Sequence, residues 1–283
     1  MKEYLYDLHV HTSETSACGQ VAARDVVESY LREGYDGIAI TDHYHGVYFD
    51  GLGDIPWPEK VHRYMGGYRE ARRAAEGTGL QVLFGIEFRN RETDDDFLVY
   101  GVDEDFLAAH PGLCELPLAE AIARFHEAGA VVIQAHPVRF RLGIAIGDEI
   151  FDRFTQRWML KQLEYDPEMP VVPWERRREI IGKPQRMTVM QICRLRQPEL
   201  LDGIEGYNGN NHWCQDPREI EEIRKRYPHL KVTSASDFHE PAHLARAGMW
   251  FDERIRDEGD LVQRILSDRV CGYKTSDGVD LPL

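Results

Sequence analysis

Long apolar runs are missing from this sequence of 283 residues. No run approaches the ~20 consecutive apolar residues that a membrane-spanning helix needs. The first residues, from Met1 to Asp7, also lack the basic start and the apolar stretch of a signal peptide. We therefore expect a cytoplasmic protein without a membrane partner.

Cysteine is scarce: the chain has five, widely spaced and without a Cys-x-x-Cys pair. An odd number without close spacing argues against a disulfide framework and against a zinc site built of thiolates. We predict five free thiols, at Cys18, Cys114, Cys193, Cys214 and Cys271. One of them, Cys18, lies close to the first histidine motif described below.

Basic residues are too few to balance the acidic ones, and the formal net charge is −15. This charge argues against a broad, sequence-independent grip on nucleic acid, which needs many contacts between basic side chains and phosphates. A local basic patch stays open as an alternative. Carboxylates concentrated in one pocket would attract divalent cations, although the total charge does not show where they lie.

Seven segments have the apolar pattern of buried strands, and amphipathic segments separate them. The strand segments are 5–10, 37–41, 80–86, 97–102, 130–134, 203–207 and 230–235. Helical spacing marks segments near 23–31, 64–76, 118–129, 217–227 and 261–266. A final extended stretch follows the last helix.

This alternation of strands and helices predicts an α/β fold with a parallel sheet. Seven such units favour a single barrel domain over 1–283, although periodicity alone does not decide between a barrel and an open sheet. In barrels of this kind the active site lies at the carboxyl ends of the strands.

The segment 140–198 interrupts the alternation, because it shows no clear strand pattern and is rich in Arg and large apolar residues. We interpret it as a mostly helical insertion within the barrel domain. It would form a lid or a specificity subdomain over the site. The alternatives are a helical excursion packed on the side of the barrel and a contact in an oligomer.

Side chains that can bind metal recur at one end of the predicted strands. In the first segment, His9 and His11 are two residues apart, so in a strand they point to the same face and can share an ion. Later segments carry further ligand types: Asp42-His43, Glu87, His136 and Asp237-His239. One such fragment is weak evidence, but five at the same end of a sheet favour a metal site. Neutral imidazole with carboxylate suits zinc, iron or manganese.

These fragments resemble, in order, the signature of the PHP (polymerase and histidinol phosphatase) family of metal-dependent phosphoesterases. The matching elements run from the N-terminus to about residue 245: Asp7–Thr12, Thr41–His43, Gly85–Glu87, His136-Pro137 and Asp237–His239. The resemblance implies a distorted seven-stranded (β/α)7 barrel that holds two or three divalent ions of zinc, manganese or iron.

The resemblance also implies which residues bind the metal ions. Four ligands would hold one ion: His9, His11, Glu87 and Asp237. Glu87 would bridge to a second ion, which also takes His136. The more exposed part of the cluster would contain His43 and His239.

The sequence departs from the family pattern at two places. Family members commonly have an Asp or His five or six residues after the second histidine, where this chain has Ser16 and Ala17. Glu14 or Cys18 could substitute there, and for a hard or borderline ion we predict Glu14. At the opening of the fourth strand, where the family commonly has a histidine, Asp96 is the predicted ligand.

The expected reaction is hydrolysis of a phosphate monoester or diester, from a small metabolite or a nucleotide, by a metal-activated hydroxide. Arg139 is placed to grip a phosphate oxygen, because a guanidinium fork suits phosphate. Candidates for protonating the leaving oxygen are His239 and His45, or a metal-bound water. Substrate contacts, or contacts that orient the ligands, are expected from Asn208 and His212.

Two other classes of function stay open. Metallohydrolases of the amidohydrolase type use similar ligands on C–N and C–O bonds, but they usually bridge their ions with a lysine, where this chain offers Glu87. Alternatively, the changes at Ser16 and Asp96 mark a degenerate relative that binds metal for structure, or that binds a partner through its insertion.

Overall fold

A computed structural model of the chain describes residues 2–93, 95–146, 149–154, 185–191, 193–210, 217–267 and 269–276. Within these ranges the strands are β1 Tyr4–Val10, β2 Gly37–Ile40, β3 His43–His45, β4 Gln81–Arg89, β5 Phe97–Tyr100, β6 Val131–Gln134, β7 Phe140–Ile146, β8 Glu149–Phe154, β9 Gln185–Gln191, β10 Gly203–Asn208, β11 Lys231–Ala235, β12 Ala247–Phe251 and β13 Gly272–Thr275.

The helices that the structure describes lie between these strands. They are α1 Ala23–Arg32, α2 Gly46–Gly51, α3 Trp57–Tyr64, α4 Gly66–Ala75, α5 Glu104–Ala109, α6 Leu118–Glu127, α7 Pro217–Arg226 and α8 Glu258–Leu266. Among the described helices, none combines the length and the apolar character that crossing a membrane would require.

Ten strands form one mixed sheet in the order β11-β10-β6-β5-β4-β2-β1-β12-β13, with β3 paired to β4. The pairs β1–β2, β2–β4, β6–β10 and β10–β11 are parallel, as predicted. The sheet nearly closes on itself, because the ends of β1 and β11 meet. There the His11 amide donates to the Phe238 carbonyl, and the Phe238 amide donates to the His9 carbonyl. The predicted α/β barrel is thus confirmed.

The direction of β5 differs from the parallel arrangement that we expected. β5 runs antiparallel to both of its neighbours, β4 and β6. Its first residue, Phe97, therefore lies beside Gln134, the last residue of β6. As a result, Asp96 still reaches the end of the barrel at which the parallel strands finish.

Helix α8 packs at the opposite end of the barrel, where β1 and β4 begin. The Ile255 amide donates to the Tyr6 hydroxyl, and the Phe84 amide donates to the Glu258 carboxylate. Apolar residues of the helix join the buried cluster of the barrel interior: Leu261, Val262 and Ile265. This packing leaves the end with the predicted ligands as the accessible one.

The described parts of the segment 140–198 do not match the mostly helical insertion that we expected. They form a separate three-stranded antiparallel sheet in the order β8-β7-β9. Residues 147–148, 155–184 and 192 of this segment lie outside the described residues. A helical insertion is therefore not confirmed, and its role as a lid stays a prediction.

Helix α4 packs against the loop after β1 through a glycine. A Cβ atom at Gly67 would lie 2.0 Å from the Thr12 hydroxyl and 2.6 Å from the Asp42 carboxylate. These two groups are hydrogen-bonded to each other at 2.7 Å. At the neighbouring Gly66 the same atom would meet nothing within 4 Å. Only the second glycine is therefore required by packing.

We predict that Gly67→Ala lowers the free energy of unfolding by about 1–3 kcal/mol, the usual cost of overpacking a well-packed site. The matched variant Gly66→Ala should leave stability unchanged or raise it slightly, since alanine favours a helix. Urea unfolding of both variants measures the difference. Equal free energies of unfolding for the two variants would show that α4 is not tightly packed against Thr12 and Asp42.

Candidate metal centre

The ends of the barrel strands bring the predicted ligands together. Three sets of ligand atoms each lie within 4.8 Å of one another: His9, His11 and Asp237; His11, His43 and His239; and His43, Glu87 and Asp96. Most of these residues are buried, while His43 and His239 are partly exposed. The structure thus brings buried and partly exposed candidate ligands together at one end of the barrel.

The ring orientations of His9 and His11 direct one nitrogen of each into the cluster. His9 Nδ1 lies 3.0 Å from Glu205, and His11 Nδ1 lies 3.1 Å from the Ser16 hydroxyl. The Ser16 hydroxyl itself donates to Asp42, so the His11 nitrogen must be the donor in the other contact. A carboxylate likewise requires His9 Nδ1–H as its donor. In the neutral rings, both Nε2 lone pairs then face inward.

The inward nitrogens lie close to each other and to two carboxylates. The two Nε2 atoms are 3.1 Å apart, and His9 Nε2 lies 3.3 Å from Glu87 and 3.4 Å from Asp237. His11 Nε2 lies 3.4 Å from oxygens of the same two carboxylates. Ligands bound at about 2.0–2.1 Å to one tetrahedral zinc ion lie about 3.3 Å from each other. The residues therefore fit a divalent ion of this kind.

Glu87 occupies the centre of the cluster. One oxygen lies 3.4 Å from His136 Nε2, and the other lies 2.6 Å from His43 Nδ1. The parallel pairing of β3 with β4 sets His43 directly beside Glu87, which explains the second contact. A carboxylate with histidines on both oxygens has the position expected of a bridging ligand.

Charge in the cluster favours a cation. Burial lowers the pKa of His9, but the charges of Asp237, Glu87 and Glu205 outweigh it and raise that pKa well above the usual value. Burial raises the pKa of Glu87, yet His43 and His9 hold it well below its usual range. The ionised form of Glu87 is therefore favoured, and the cluster attracts either protons or metal ions.

Two of the candidate ligands stand on backbone that L-residues rarely adopt. His136 has φ +30° and Asp237 has φ +51°. Buried hydrogen bonds hold both: the His136 amide donates to Glu205, and the Asn208 amide group donates to Asp237. Such conformations cost of order 1–3 kcal/mol each and persist where the surroundings fix them, often at functional sites.

The carboxylates of Asp7 and Asp42, from the first two motifs, brace the ligands and are not themselves in the cluster. Asp42 accepts hydrogen bonds from the Thr12 amide, the Thr12 hydroxyl and the Ser16 hydroxyl. Asp7 accepts from the Tyr30 hydroxyl and the Ser236 amide. Burial raises the pKa of each carboxyl to about 6, although these hydrogen bonds oppose the rise.

Glu14 is not brought to the cluster. Its exposed carboxylate accepts hydrogen bonds from the Ala23 amide at 3.0 Å, at the start of α1. A carboxylate there stabilises the unpaired amide and the positive end of the helix, so Glu14 is not among the predicted ligands that the structure brings together. Cys18, the alternative, lies 3.1 Å from His43 Nε2. Burial opposes its ionisation, but hydrogen bonds with His239 and His43 lower the pKa of the Cys18 thiol to about 6.

Asp96 reaches the cluster but is already paired. Arg89 holds both of its oxygens, each at 2.6 Å. His136 Nε2 lies 3.8 Å from the same carboxylate. An ion at this position would have to share Asp96 with the guanidinium of Arg89, which weakens Asp96 as a ligand.

The remaining predicted site residues have separate positions. Asn208 is buried and donates to Glu205 and Asp237, so it orients carboxylates and is not placed as a substrate contact. His45 accepts from the Tyr48 amide at the start of α2. Burial and the nearby charge of Arg139 both oppose the rise of the His136 pKa to about 10, which contacts with Cys193 and Glu87 cause. His212 lies outside the described residues.

Glu205 is the main residue that the ligand assignment omitted. It is fully buried in β10 and contacts His9, the His136 amide and Asn208. The sequence did indicate a role for Glu205, because a glutamate inside the apolar strand Gly203–Asn208 must be buried and needs polar partners. The role of Ser16 gave no comparable signal, since a loop serine is common.

A nearly closed α/β barrel with His, Asp and Glu gathered at its strand ends defines the class of metal-binding barrel proteins. The PHP domain model matches residues 7–170, and the chain belongs to that family. The closing pair Asp237 and His239 lies beyond the matched residues, and the structure brings it to the same cluster. No curated protein sequence matches the chain.

Solved structures share the fold at low sequence identity. A two-domain protein from Bacteroides vulgatus, containing a predicted PHP-like metal-dependent phosphoesterase, is 17% identical with a TM-score of 0.57; the match covers 97% of this chain and 65% of that one. This chain thus spans slightly less than two thirds of that protein. PsfC from Pseudomonas syringae is 14% identical with a TM-score of 0.52, over 93% and 88% of the two chains.

A third similar structure is the lesion-specific endonuclease EndoQ from Pyrococcus furiosus. It is 12% identical with a TM-score of 0.53, and the match covers 96% of this chain and 58% of that one. At these identities the three structures support the barrel fold.

We predict that Ser16→Ala weakens divalent-metal binding by about 10- to 100-fold, the usual effect of removing a group that orients ligands. The change removes the hydrogen-bond partner of His11 Nδ1 and of the His43 amide. The matched control is Ser13→Ala, an exposed serine in the same loop. Calorimetric titration with Zn²⁺ measures both; equal affinities would contradict the bracing role of Ser16.

Proposed function

We propose that the protein is a metal-dependent phosphoesterase that hydrolyses a small phosphorylated substrate with two or three ions of zinc, manganese or iron. The observation that carries the proposal is the inner ligand set, in which two imidazole nitrogens lie 3.1 Å apart and each lies within 3.4 Å of the same two carboxylates. Membership of the PHP family supports a divalent-metal site with this chemistry.

In this proposal His9, His11, Glu87 and Asp237 hold one ion, and Glu87 and His136 contribute to a second. Bound divalent ions of this kind polarise a phosphate ester and lower the pKa of water. The chain itself supplies the fixed positions of the ligands. Glu205 and Ser16 keep the imidazole protons on the outer nitrogens, and Asn208 holds Asp237 in its strained conformation.

Arg139 is the proposed phosphate contact. It follows the strained His136 by three residues, and its amide donates to the His136 carbonyl at 3.2 Å. A guanidinium can donate two parallel hydrogen bonds to phosphate oxygens. This positive charge would stabilise the negative charge that develops on the phosphoryl group.

We assign the contact with the leaving oxygen to His45 in preference to His239. The Nδ1 atom of His45 accepts from the Tyr48 amide, so the neutral ring carries its proton on Nε2. Burial and the charge of His43 lower the pKa of His45, so this neutral ring would donate a hydrogen bond to the leaving oxygen through Nε2–H and would not transfer a full proton near neutral pH. His239 lies within ligand distance of His11 and His43 and serves better as a ligand.

Three alternative functions differ from this proposal in features that can be checked. An amidohydrolase-type enzyme would share the barrel and the histidines, but Glu87 stands where a bridging lysine would be expected. An endonuclease would have to bind DNA against a net charge of −15. A degenerate binding protein would lack turnover even with its metal ions bound.

We expect His9→Ala and Asp237→Ala to abolish hydrolysis of phosphorylated metabolites in the presence of Zn²⁺, Mn²⁺ or Fe²⁺. Each variant removes an inner ligand, so metal content should fall together with activity. The screen should include an amide substrate and a DNA oligonucleotide, and Ser13→Ala serves as the control. Unchanged turnover in either variant, with metal content verified, would overturn the proposal.

Replacing Arg139 tests the phosphate contact separately. Arg139→Ala should lower kcat/KM by about 10- to 100-fold, since a hydrogen bond to a charged group contributes about 1.5–3 kcal/mol. The matched control is Arg124→Ala, an exposed arginine on α6. Metal content should stay unchanged in both. If the two variants keep the same kcat/KM, Arg139 does not bind the phosphate.

A further inference from the structure

The outer part of the cluster combines two histidines with a cysteine. Cys18 Sγ lies 3.1 Å from His43 Nε2, and the ring of His239 is near enough to lower the pKa of the thiol. The ring centroids of the two histidines are 5.7 Å apart. Three side chains that can bind metal therefore converge from three separate segments: the loop after β1, strand β3 and the loop after β11.

The ring nitrogens of the outer histidines are oriented toward a shared ligand. His43 Nδ1 lies 2.6 Å from the Glu87 carboxylate and must donate to it. His239 Nδ1 lies 3.0 Å from the Asp237 carbonyl and must likewise donate. In each neutral ring, the lone pair of Nε2 is then available to bind a metal ion on the side of the cluster where Cys18 lies.

The loop that carries Cys18 is fixed to both histidines. The His43 amide donates to the Ser16 hydroxyl, two residues before the cysteine. The Gln20 amide, two residues after it, donates to the His239 carbonyl at 2.7 Å. Gly19 makes this tight turn feasible, because a Cβ atom there would lie 2.7 Å from the Thr12 carbonyl oxygen. The position of the thiol is therefore held by the backbone.

From this geometry we propose that Cys18, His43 and His239 form a mixed thiolate–imidazole site for a zinc-type divalent ion. A sulfur bound at about 2.3 Å and a nitrogen bound at about 2.0 Å to one tetrahedral ion lie about 3.5 Å apart. The observed 3.1 Å separation of Cys18 Sγ and His43 Nε2 comes within a small side-chain rotation of that distance. Binding replaces the S–H bond with a sulfur–metal bond and releases the proton to solvent.

A thiolate changes which metal the outer site prefers. Soft sulfur ligands favour zinc over manganese or magnesium, which prefer oxygen. The inner set, with its two carboxylates, has no such preference for soft metals. The outer site should therefore retain zinc or cobalt when manganese fills only the inner positions. This inference requires divalent-metal binding but does not depend on phosphoester hydrolysis.

The test is a titration of the metal-free full chain with Co²⁺. The wild-type protein should develop a near-ultraviolet thiolate-to-cobalt charge-transfer band, which Cys18→Ser should lose together with one equivalent of bound metal. Its affinity for that equivalent should fall by more than about 100-fold, since removing groups that merely orient a ligand costs about 10- to 100-fold. Cys18→His should keep the equivalent without the band. The control is Cys271→Ser, an exposed cysteine outside the cluster.

A second measurement uses only the wild-type chain and needs no folded variant. Alkylation of Cys18 by iodoacetamide, followed by peptide mass spectrometry, should slow at least tenfold when Zn²⁺ is added, while alkylation of Cys271 should not change. An unchanged Co²⁺ band in Cys18→Ser would overturn the proposal. Metal binding by the wild-type chain without the band, or without protection of Cys18, would overturn it equally.

Discussion

The attraction between buried carboxylates and imidazoles at one end of the barrel is the interaction on which the site depends. Glu87, Asp237 and Glu205 are buried, and an isolated buried carboxylate would be very costly. Each instead contacts histidine: His9 alone lies within 3.4 Å of all three. The cost of burial is thereby offset by contacts between side chains from different strands of the closed barrel.

The cluster has two tiers with different chemistry. The inner tier is buried, and its imidazole tautomers are set by Glu205 and Ser16. The outer tier, with Cys18, His43 and His239, is partly exposed and is linked to the inner one through Glu87 and Asp237. An ion in either tier would alter the charge on these carboxylates and so affect binding in the other.

The side of the cluster near His136 differs from the rest because it contains the ion pair between Arg89 and Asp96. A guanidinium there supplies fixed positive charge beside Asp96, where an ion could otherwise stand. Because arginine is always protonated, this charge persists at any metal concentration. An ion at this position would therefore have to compete with Arg89 for Asp96.

Much of the fold and of the ligand set follows from the sequence alone. Apolar runs such as Gly37–Ile40 and Val131–Gln134 determine buried strands, and the spacing of His9 and His11 on β1 places both on one face. The antiparallel direction of β5 and the strands within 140–191 were not predictable, because local patterns do not record strand direction or pairing. Only the tertiary structure decided that Glu14 accepts hydrogen bonds at the start of α1 and that Arg89 forms an ion pair with Asp96. It also decided that Cys18 lies beside His43 and His239. Each of these depends on segments distant in sequence whose approach is fixed by hydrogen bonds between loops and strand ends.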